Sequence, residues 1–416
     1  MPLGKGVPSD ILQTGTAVHI AICDNSGHAF PIQLSRELAR RRHQVLHLHF
    51  AEFQSPKGPL SRRQEDPETL EIAPISLGKP FAKYSFVARR SQEIEVGKRT
   101  WKRINEFKPD VVLGGNLPLD ALRQTLRGCL RADRPFVLWV QDIYSIAIRQ
   151  VLTKRCGVIG GMLGSYYGHM EASALASSAA IVVIADDFVS VIRNDFGVAA
   201  DNIHVIENWA PLDEIVPREK TNAWAVEQQL AGREVVLYTG TLGIKHDPAL
   251  ILQLAAALQS RPKTTVIVMS EGPSAEWLAA QVKASNLQNL RMLPYQSFDR
   301  YADVLGSADV LIAILEADAG RFSAPSKILS YLCAGRPIVL SAPPENLAFR
   351  IVNESQAGMS IPAHDRDGFI AAVRSFLDDP EARASAGRQG RAYAERAFDV
   401  KAIGDRFEGI LAAAAR

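Results

Sequence analysis

The chain of 416 residues has no long apolar run, few cysteines and almost no net charge. Each shortage removes a class of protein. No stretch approaches the roughly 18–20 apolar residues that a membrane-spanning helix needs. Residues 1–15 carry one Lys, one Asp and two prolines around no apolar core, so a loose tail is expected there instead of a signal peptide. The four cysteines, Cys23, Cys129, Cys156 and Cys333, match no disulfide framework and no zinc spacing. Free thiols and a cytoplasmic location are expected. A net charge of +2 gives no electrostatic footing for nucleic acid, and the mild basic excess lies in the first half. There is no Walker motif and no complete G-x-G-x-x-G.

What is present is an ordinary globular composition, 47% hydrophobic and 22% charged. The length suits two α/β domains of roughly 150–200 residues each. Short β-branched runs alternate with amphipathic stretches, the pattern of βαβ units on parallel sheets. Strands are predicted at 18–23, 45–50, 111–113, 136–140, 180–185 and 203–206. A helix is predicted at 31–42, with Phe30, Leu34 and Leu38 as its buried stripe. A polar, proline-bearing stretch at 54–69 reads as a loop. A second series follows at 235–240, 265–270, 290–293, 310–315 and 337–341. The organisation expected is a tail (1–15), an N-terminal domain (16–210), a linker (211–232), a C-terminal domain (233–396) and a final helix (397–416) packing back on the N-terminal domain. Ligands of such sheets bind beyond the carboxyl ends of the strands.

Three turns carry candidate chemistry. Pro325-Ser326-Lys327 opens a helix that Gly335 ends, so its first amides are free to meet an anion and Lys327 adds a charge. Taken alone, a capped helix with a solvated lysine explains this turn as well. Tyr238-Thr-Gly240-Thr-Leu-Gly243-Ile-Lys245-His246-Asp247 runs from a strand through two glycines to a cationic pair. Glycine lets backbone approach a phosphate closely, although such turns are common. Glu271-Gly272-Pro273 is another tight turn after a strand.

Together with Asn208-Trp209, Leu293-Pro294-Tyr295, Ala308-Asp309-Val310 and Ala334-Gly-Arg-Pro-Ile-Val339, these turns resemble the family 4 glycosyltransferases of the GT-B fold. The order and spacing are more specific than any single piece. Within that family the likeness is to bacterial enzymes of capsule, colanic-acid-like and O-antigen synthesis. The resemblance implies two doubly wound, Rossmann-like parallel-sheet domains facing a central cleft. It implies retaining, metal-independent transfer from a nucleoside-diphosphate sugar, a substrate and not a cofactor, to a polyprenyl-diphosphate-linked saccharide.

By position, Gly240, Gly243, Lys245, His246, Ser326 and Lys327 would hold the diphosphate. Glu271, Gly272, Tyr295 and Ser330 would lie at the base and sugar. Gly27 and Asn116 would face the acceptor, with His28 and Asp142 at the reacting centre. Asp142 as a helix cap and His28 as an exposed loop residue explain those two equally simply. Two departures stand out. Phe322 and Ser330 occupy the places of the family's paired glutamates, and Thr241 that of an arginine; Glu316 and Asp318 are acids nearby.

Asp365-Arg-Asp367 has the spacing of a metal-binding pair, but acids at a helix start are ordinary and no metal is expected there. Lys79, Lys83, Arg89, Arg90, Lys98, Arg99, Lys102 and Arg103 are interleaved with Phe81, Tyr84, Phe86 and Val87. That segment is expected either to rest on the anionic inner face of the cell membrane or to be a solvated helix face. A non-catalytic nucleotide-sugar-binding subunit and a sugar-nucleotide epimerase remain as alternatives.

Overall fold

The computed structural model describes residues 17–53, 57–82, 85–243, 246–316 and 326–416. The N-terminal half runs β1 (His19–Asp24), α1 (Ala29–Arg40), β2 (Gln44–Phe50), β3 (Leu70–Ile75), α2 (Phe86–Phe107), β4 (Val111–Gly115) and α3 (Leu119–Arg131). It continues through β5 (Phe136–Val140), α4 (Tyr144–Ala176), β6 (Ala180–Val183), α5 (Asp186–Phe196) and β7 (Ile203–Val205). After α6 (Ala223–Glu227), the second half runs β8 (Glu234–Thr239), α7 (Pro248–Ala257), β9 (Thr264–Met269), α8 (Pro273–Ala284), β10 (Leu290–Leu293), α9 (Phe298–Gly306) and β11 (Val310–Ile314). Then come α10 (Lys327–Ala334), β12 (Ile338–Ala342), α11 (Leu347–Glu354), β13 (Gly358–Pro362), α12 (Arg366–Asp378), α13 (Pro380–Ala397) and α14 (Val400–Ala414).

Two parallel sheets result, ordered β3-β2-β1-β4-β5-β6-β7 and β10-β9-β8-β11-β12-β13. Both share one plan: the chain starts mid-sheet, winds to one edge, then returns across its first strand. The order therefore reverses between β1 and β4 and between β8 and β11, which opens a crevice at the carboxyl ends of those strands. Helices cover both faces, so central strands such as β5 are buried along their whole length and show no alternation.

The predicted strands appear within two residues of their expected limits, but β3 and β13 escaped the sequence reading. Both are edge strands carrying proline, Pro74 and Pro362, and neither is an apolar run. The predicted first helix begins two residues early, at Ala29. The stretch 211–232 does more than tether: it contains α6, and it buries Ile215, Trp224 and Leu230 in the large core. Helix α13 packs on α10, whereas α14 crosses to α1 of the first domain. There Phe407 packs beside the stacked Trp139 and Trp209, with ring centroids 4.8 and 6.1 Å away. Arg41 ties the joint by ion pairs to Asp405 and Glu408.

Candidate active site

The C-terminal crevice is built from the ends of β8, β9 and β10 and the start of α10. Strand β8 ends at Thr239, and Gly240 follows with φ of 105°, a conformation that favours glycine. This turn carries the backbone beneath the side chain of Lys327, the first residue of α10. A Cβ at Gly240 would lie 3.4 Å from Lys327 Cε. The Lys327 ammonium sits 3.8 Å from the centre of the Tyr238 ring and donates to the Tyr238 hydroxyl at 2.5 Å. Among the described residues no carboxylate pairs with it, and burial alone lowers its pKa to about 7. A half-buried lysine without an anion, at a helix N-terminus, is a socket for a negative group.

Ser326 stands exposed at the head of the same helix, and its side chain makes no capping bond. Gly335 ends the helix in the left-handed conformation, as a glycine after a helix commonly does. His246 folds back so that its Nδ1 accepts from the Gly243 amide at 3.0 Å, leaving Nε2 to carry the proton of the neutral ring. Lys245, Asp318 and Phe322 lie outside the described residues. Tyr295 reaches across the turn: its amide donates to Glu271 at 3.1 Å, and its hydroxyl lies 3.1 Å from Thr241 Oγ1. Gly272, with φ of 100°, caps α8 just beyond Glu271. The Ser330 hydroxyl bonds Tyr301, which in turn bonds Thr239, a network at the end of β8.

In the N-terminal domain, the carboxylate of Asp24 organises the turn after β1. It accepts from the amides of Ser26 (3.1 Å) and His28 (2.7 Å) and from Asn116 Nδ2 (3.2 Å). Burial raises its pKa, partly offset by His28 and these bonds. Asn116 holds φ of 54° to reach it. Gly27 is also left-handed, and its carbonyl accepts from the Gly58 amide at 2.8 Å, which lays the 57–62 loop over the start of α1. His28 precedes α1 and stacks on Phe30 with centroids 5.9 Å apart; its side chain does not cap the helix. Asp142, at the end of β5, lines a water-sized cavity with Asn116 and Glu171. The cap of α4 is Glu171, whose carboxylate accepts from the amides of Tyr144 (3.1 Å) and Ser145 (2.9 Å).

The structure thus gathers Gly240, Tyr238 and Lys327 into one cluster, Thr241, Tyr295 and Glu271 into a second, and Asp24, His28 and Asn116 into a third. Among the described residues no hydrogen bond or ion pair joins the third cluster to the first two. Sequence reasoning passed over Asp24, Tyr238 and Glu171. Tyr238 stood at the start of a quoted turn, and Asp24 directly follows the first predicted strand. Glu171 lies 27 residues from the helix start it caps, and no local pattern marks it. Asp365 caps α12 by accepting from the Gly368 amide at 2.8 Å. In the basic segment Phe81 is buried, and four arginines are paired: Arg89 with Glu93, Arg90 with Asp120, Arg99 with Glu95 and Arg103 with Glu71. Lys83 and Tyr84 lie outside the described residues.

Comparison with known proteins agrees with this fold. Residues 30–214 match the family described as Glycosyltransferase Family 4, and residues 221–393 match Glycosyl transferases group 1. The chain belongs to the family 4 glycosyltransferases of the GT-B fold. Over 254 residues it is 26% identical to glycogen synthase of Mycobacterium tuberculosis, an alignment taking in 60% of this chain and 58% of the relative. The match therefore spans less than two thirds of the curated relative's length. In three dimensions it is similar to HepE of Anabaena, solved with UDP and glucose (TM-score 0.68, 15% identity, 95% of this chain and 99% of that one). It is also similar to sucrose-phosphate synthase of Thermosynechococcus elongatus (0.69, 14%, 94% and 99%). A third neighbour is WaaG, a glycosyltransferase involved in lipopolysaccharide biosynthesis (0.66, 14%, 94% and 99%). At these identities the likeness is one of fold.

Proposed function

We propose that this glycosyltransferase is a retaining, metal-independent enzyme that moves a sugar from a nucleoside-diphosphate donor to a saccharide carried on polyprenyl diphosphate. The setting is assembly of a cell-surface polysaccharide at the inner face of the membrane. The observation that carries the donor half is the Lys327 ammonium, half-buried against Gly240 and lacking an anion among the described residues. A diphosphate there would meet Lys327, the free amides at the head of α10 and the glycine turn after β8. Fixed donors of this kind stabilise charge developing on a departing phosphate without reorganisation. UDP in similar structures makes it the first nucleotide to try.

The reaction needs no protein nucleophile. The bond from the sugar's anomeric carbon to the phosphate oxygen breaks, and the acceptor hydroxyl bonds that carbon on the same face. Its proton passes to the leaving phosphate. The Asp24–Asn116–His28 cluster and Asp142 would position sugar and acceptor, while Glu271 and Tyr295 would flank the nucleoside.

Calorimetric titration with UDP, GDP, ADP and dTDP, each with and without EDTA, tests the donor site. Tight binding of one diphosphate that the chelator leaves unchanged is the expected result. Transfer of labelled sugar to a polyprenyl-diphosphate saccharide, with the anomeric configuration read by NMR, tests the rest. Absence of binding by every nucleotide would overturn the reading, and epimerised donor without an acceptor would replace it.

A further inference from the structure

The element called α4 is not one helix. At Gly157 the backbone leaves helical geometry, with φ of 53° and ψ of −129°. A Cβ at Gly160 would fall 1.9 Å from the carbonyl oxygen of Leu152, and one at Gly164 would fall 2.7 Å from Arg149 Cγ. In a straight helix residues 152 and 160 stand about 12 Å apart along the axis. The chain has therefore doubled back, and residues 144–156 and 158–176 form an antiparallel helical hairpin. Gly160 and Gly164, one helical turn apart, let the arms touch backbone to side chain. The arm before the bend is about 20 Å long and the arm after it about 28 Å.

The far end of this hairpin is apolar and bare. Val158 is 83% exposed, Met162 70% and Ile159 69%. Single exposed apolar residues are unremarkable; three large ones gathered at the end of a projection are not. The charge around them has one sign. No acidic residue occurs between Asp142 and Glu171, whereas Arg149 and Lys154 are exposed on the first arm. On the second arm Tyr166 accepts from Arg123 at 2.6 Å and from Arg90 at 3.2 Å. The Arg90 charge is paired with Asp120, which also accepts from Tyr167, so at the hairpin's base only Arg123 adds to the positive charge. Val87, 78% exposed, stands at the start of the helix that supplies Arg90.

We infer that the 144–176 hairpin is a membrane wedge whose tip, Val158, Ile159 and Met162, enters the acyl boundary of an anionic bilayer while Arg149 and Lys154 meet lipid phosphates. An apolar end ringed by cations is complementary to a lipid surface. A second copy of this chain is a poor occupant: its tip carries the same positive charge. Three side chains also cover far less than the roughly 1,000 Å² a stable dimer buries. The hairpin grows from the end of β5, beside Asp142, so insertion would bring the acceptor-side rim of the N-terminal domain toward the lipid. It rests on the function proposed above only in that a lipid-borne acceptor gives the contact a use.

Cys156, at the bend, is exposed, whereas Cys23, Cys129 and Cys333 are buried, so the natural protein can be labelled there. The test adds a nitrobenzoxadiazole label at Cys156 to vesicles of phosphatidylglycerol and phosphatidylethanolamine, with no nucleotide or acceptor present. Flotation of unlabelled protein is run alongside. A blue-shifted, iodide-shielded emission and flotation with the vesicles are expected. Partitioning should be at least tenfold weaker on phosphatidylcholine. Val158→Asp/Ile159→Asp should lose at least tenfold with Tm and circular dichroism unchanged. Arg149→Gln should lose roughly fivefold at low salt.

Equal partitioning of the double variant, or none by the natural protein, overturns the inference. So does a lipid-free dimer, seen by sedimentation velocity, that the double variant abolishes. Because no sugar enters the assay, a failed transfer reaction would leave the wedge standing. A failed wedge would leave the donor site untouched.

Discussion

Lys327 rests on Tyr238, its ammonium 3.8 Å from the ring centre and 2.5 Å from the phenol oxygen. The aromatic face and the hydroxyl replace part of the lost hydration but supply no counter-charge. A phosphate arriving at the head of α10 would complete the pair. Replacing Lys327 by Ala should then weaken UDP binding by about 1.5–3 kcal/mol, the range for a charge-assisted contact, or roughly tenfold to 150-fold. The exposed Lys263 serves as the control, and Lys263→Ala should bind as the natural protein does. Equal affinities of the two variants in calorimetry would remove Lys327 from the donor site.

The same lysine makes binding depend on pH. Burial lowers its pKa to about 7 in the free protein, because the cation is disfavoured without an anion. A bound diphosphate favours the cation, so the pKa rises in the complex. Below about pH 7 the proton is already in place. Above it, each binding event must take up a proton, and affinity should fall toward tenfold per pH unit. Titrations from pH 7 to 9.5 would follow the fall. At pH 8, two buffers of different ionisation enthalpy should give apparent heats that differ by about one proton. A flat profile with equal heats would contradict this account.

Gly240 separates conformational strain from occupancy of the site. Its φ of 105° is rarely adopted by other residues, and a Cβ would touch Lys327 Cε at 3.4 Å without overlap. Gly240→Ala should therefore cost about 1–3 kcal/mol of stability through the backbone, with only a small effect on UDP affinity. Gly240→Val adds branches toward Lys327 and should lower affinity well beyond the alanine variant. Paired thermal melts and titrations would show whether the two effects part in this way.

How much of this was legible in sequence depended on where the interaction partners lay. Buried strands of a parallel sheet are continuous apolar runs, so β1, β5, β8 and β11 announced themselves. Edge strands β3 and β13 carry Pro74 and Pro362 and did not. The turns of the C-terminal crevice were readable because glycine, proline and lysine act within a few residues of one another. The N-terminal cluster was less so. Asn116 meets Asp24 across 92 residues, and only the adjacency of β1 and β4 creates that contact. Ser330 shows the converse: its place in the family pattern was plain, yet its hydroxyl turns to Tyr301. The hairpin bend is local, but its meaning is not: only the approach of Gly160 to Leu152 and of Gly164 to Arg149 shows that the chain doubles back.

The joint between the domains offers a last test, on stability instead of binding. Helix α14 leaves the second domain and sets Phe407 against the edges of Trp139 and Trp209, which stack on each other with centroids 5.8 Å apart and rings nearly parallel. Phe407 is fully buried, and the edge contact with Trp139 is close. Removing the ring deletes apolar burial and aromatic contacts and leaves a cavity that two indoles cannot easily fill. Phe407→Ala should cost about 3–5 kcal/mol. The indole fluorescence should shift, because Trp139 and Trp209 lose their cover. If α14 instead frays as a unit, hydrogen exchange of 400–414 will quicken while the sheets stay protected. A variant as stable as the natural chain would mean that α14 contributes no more than a surface contact.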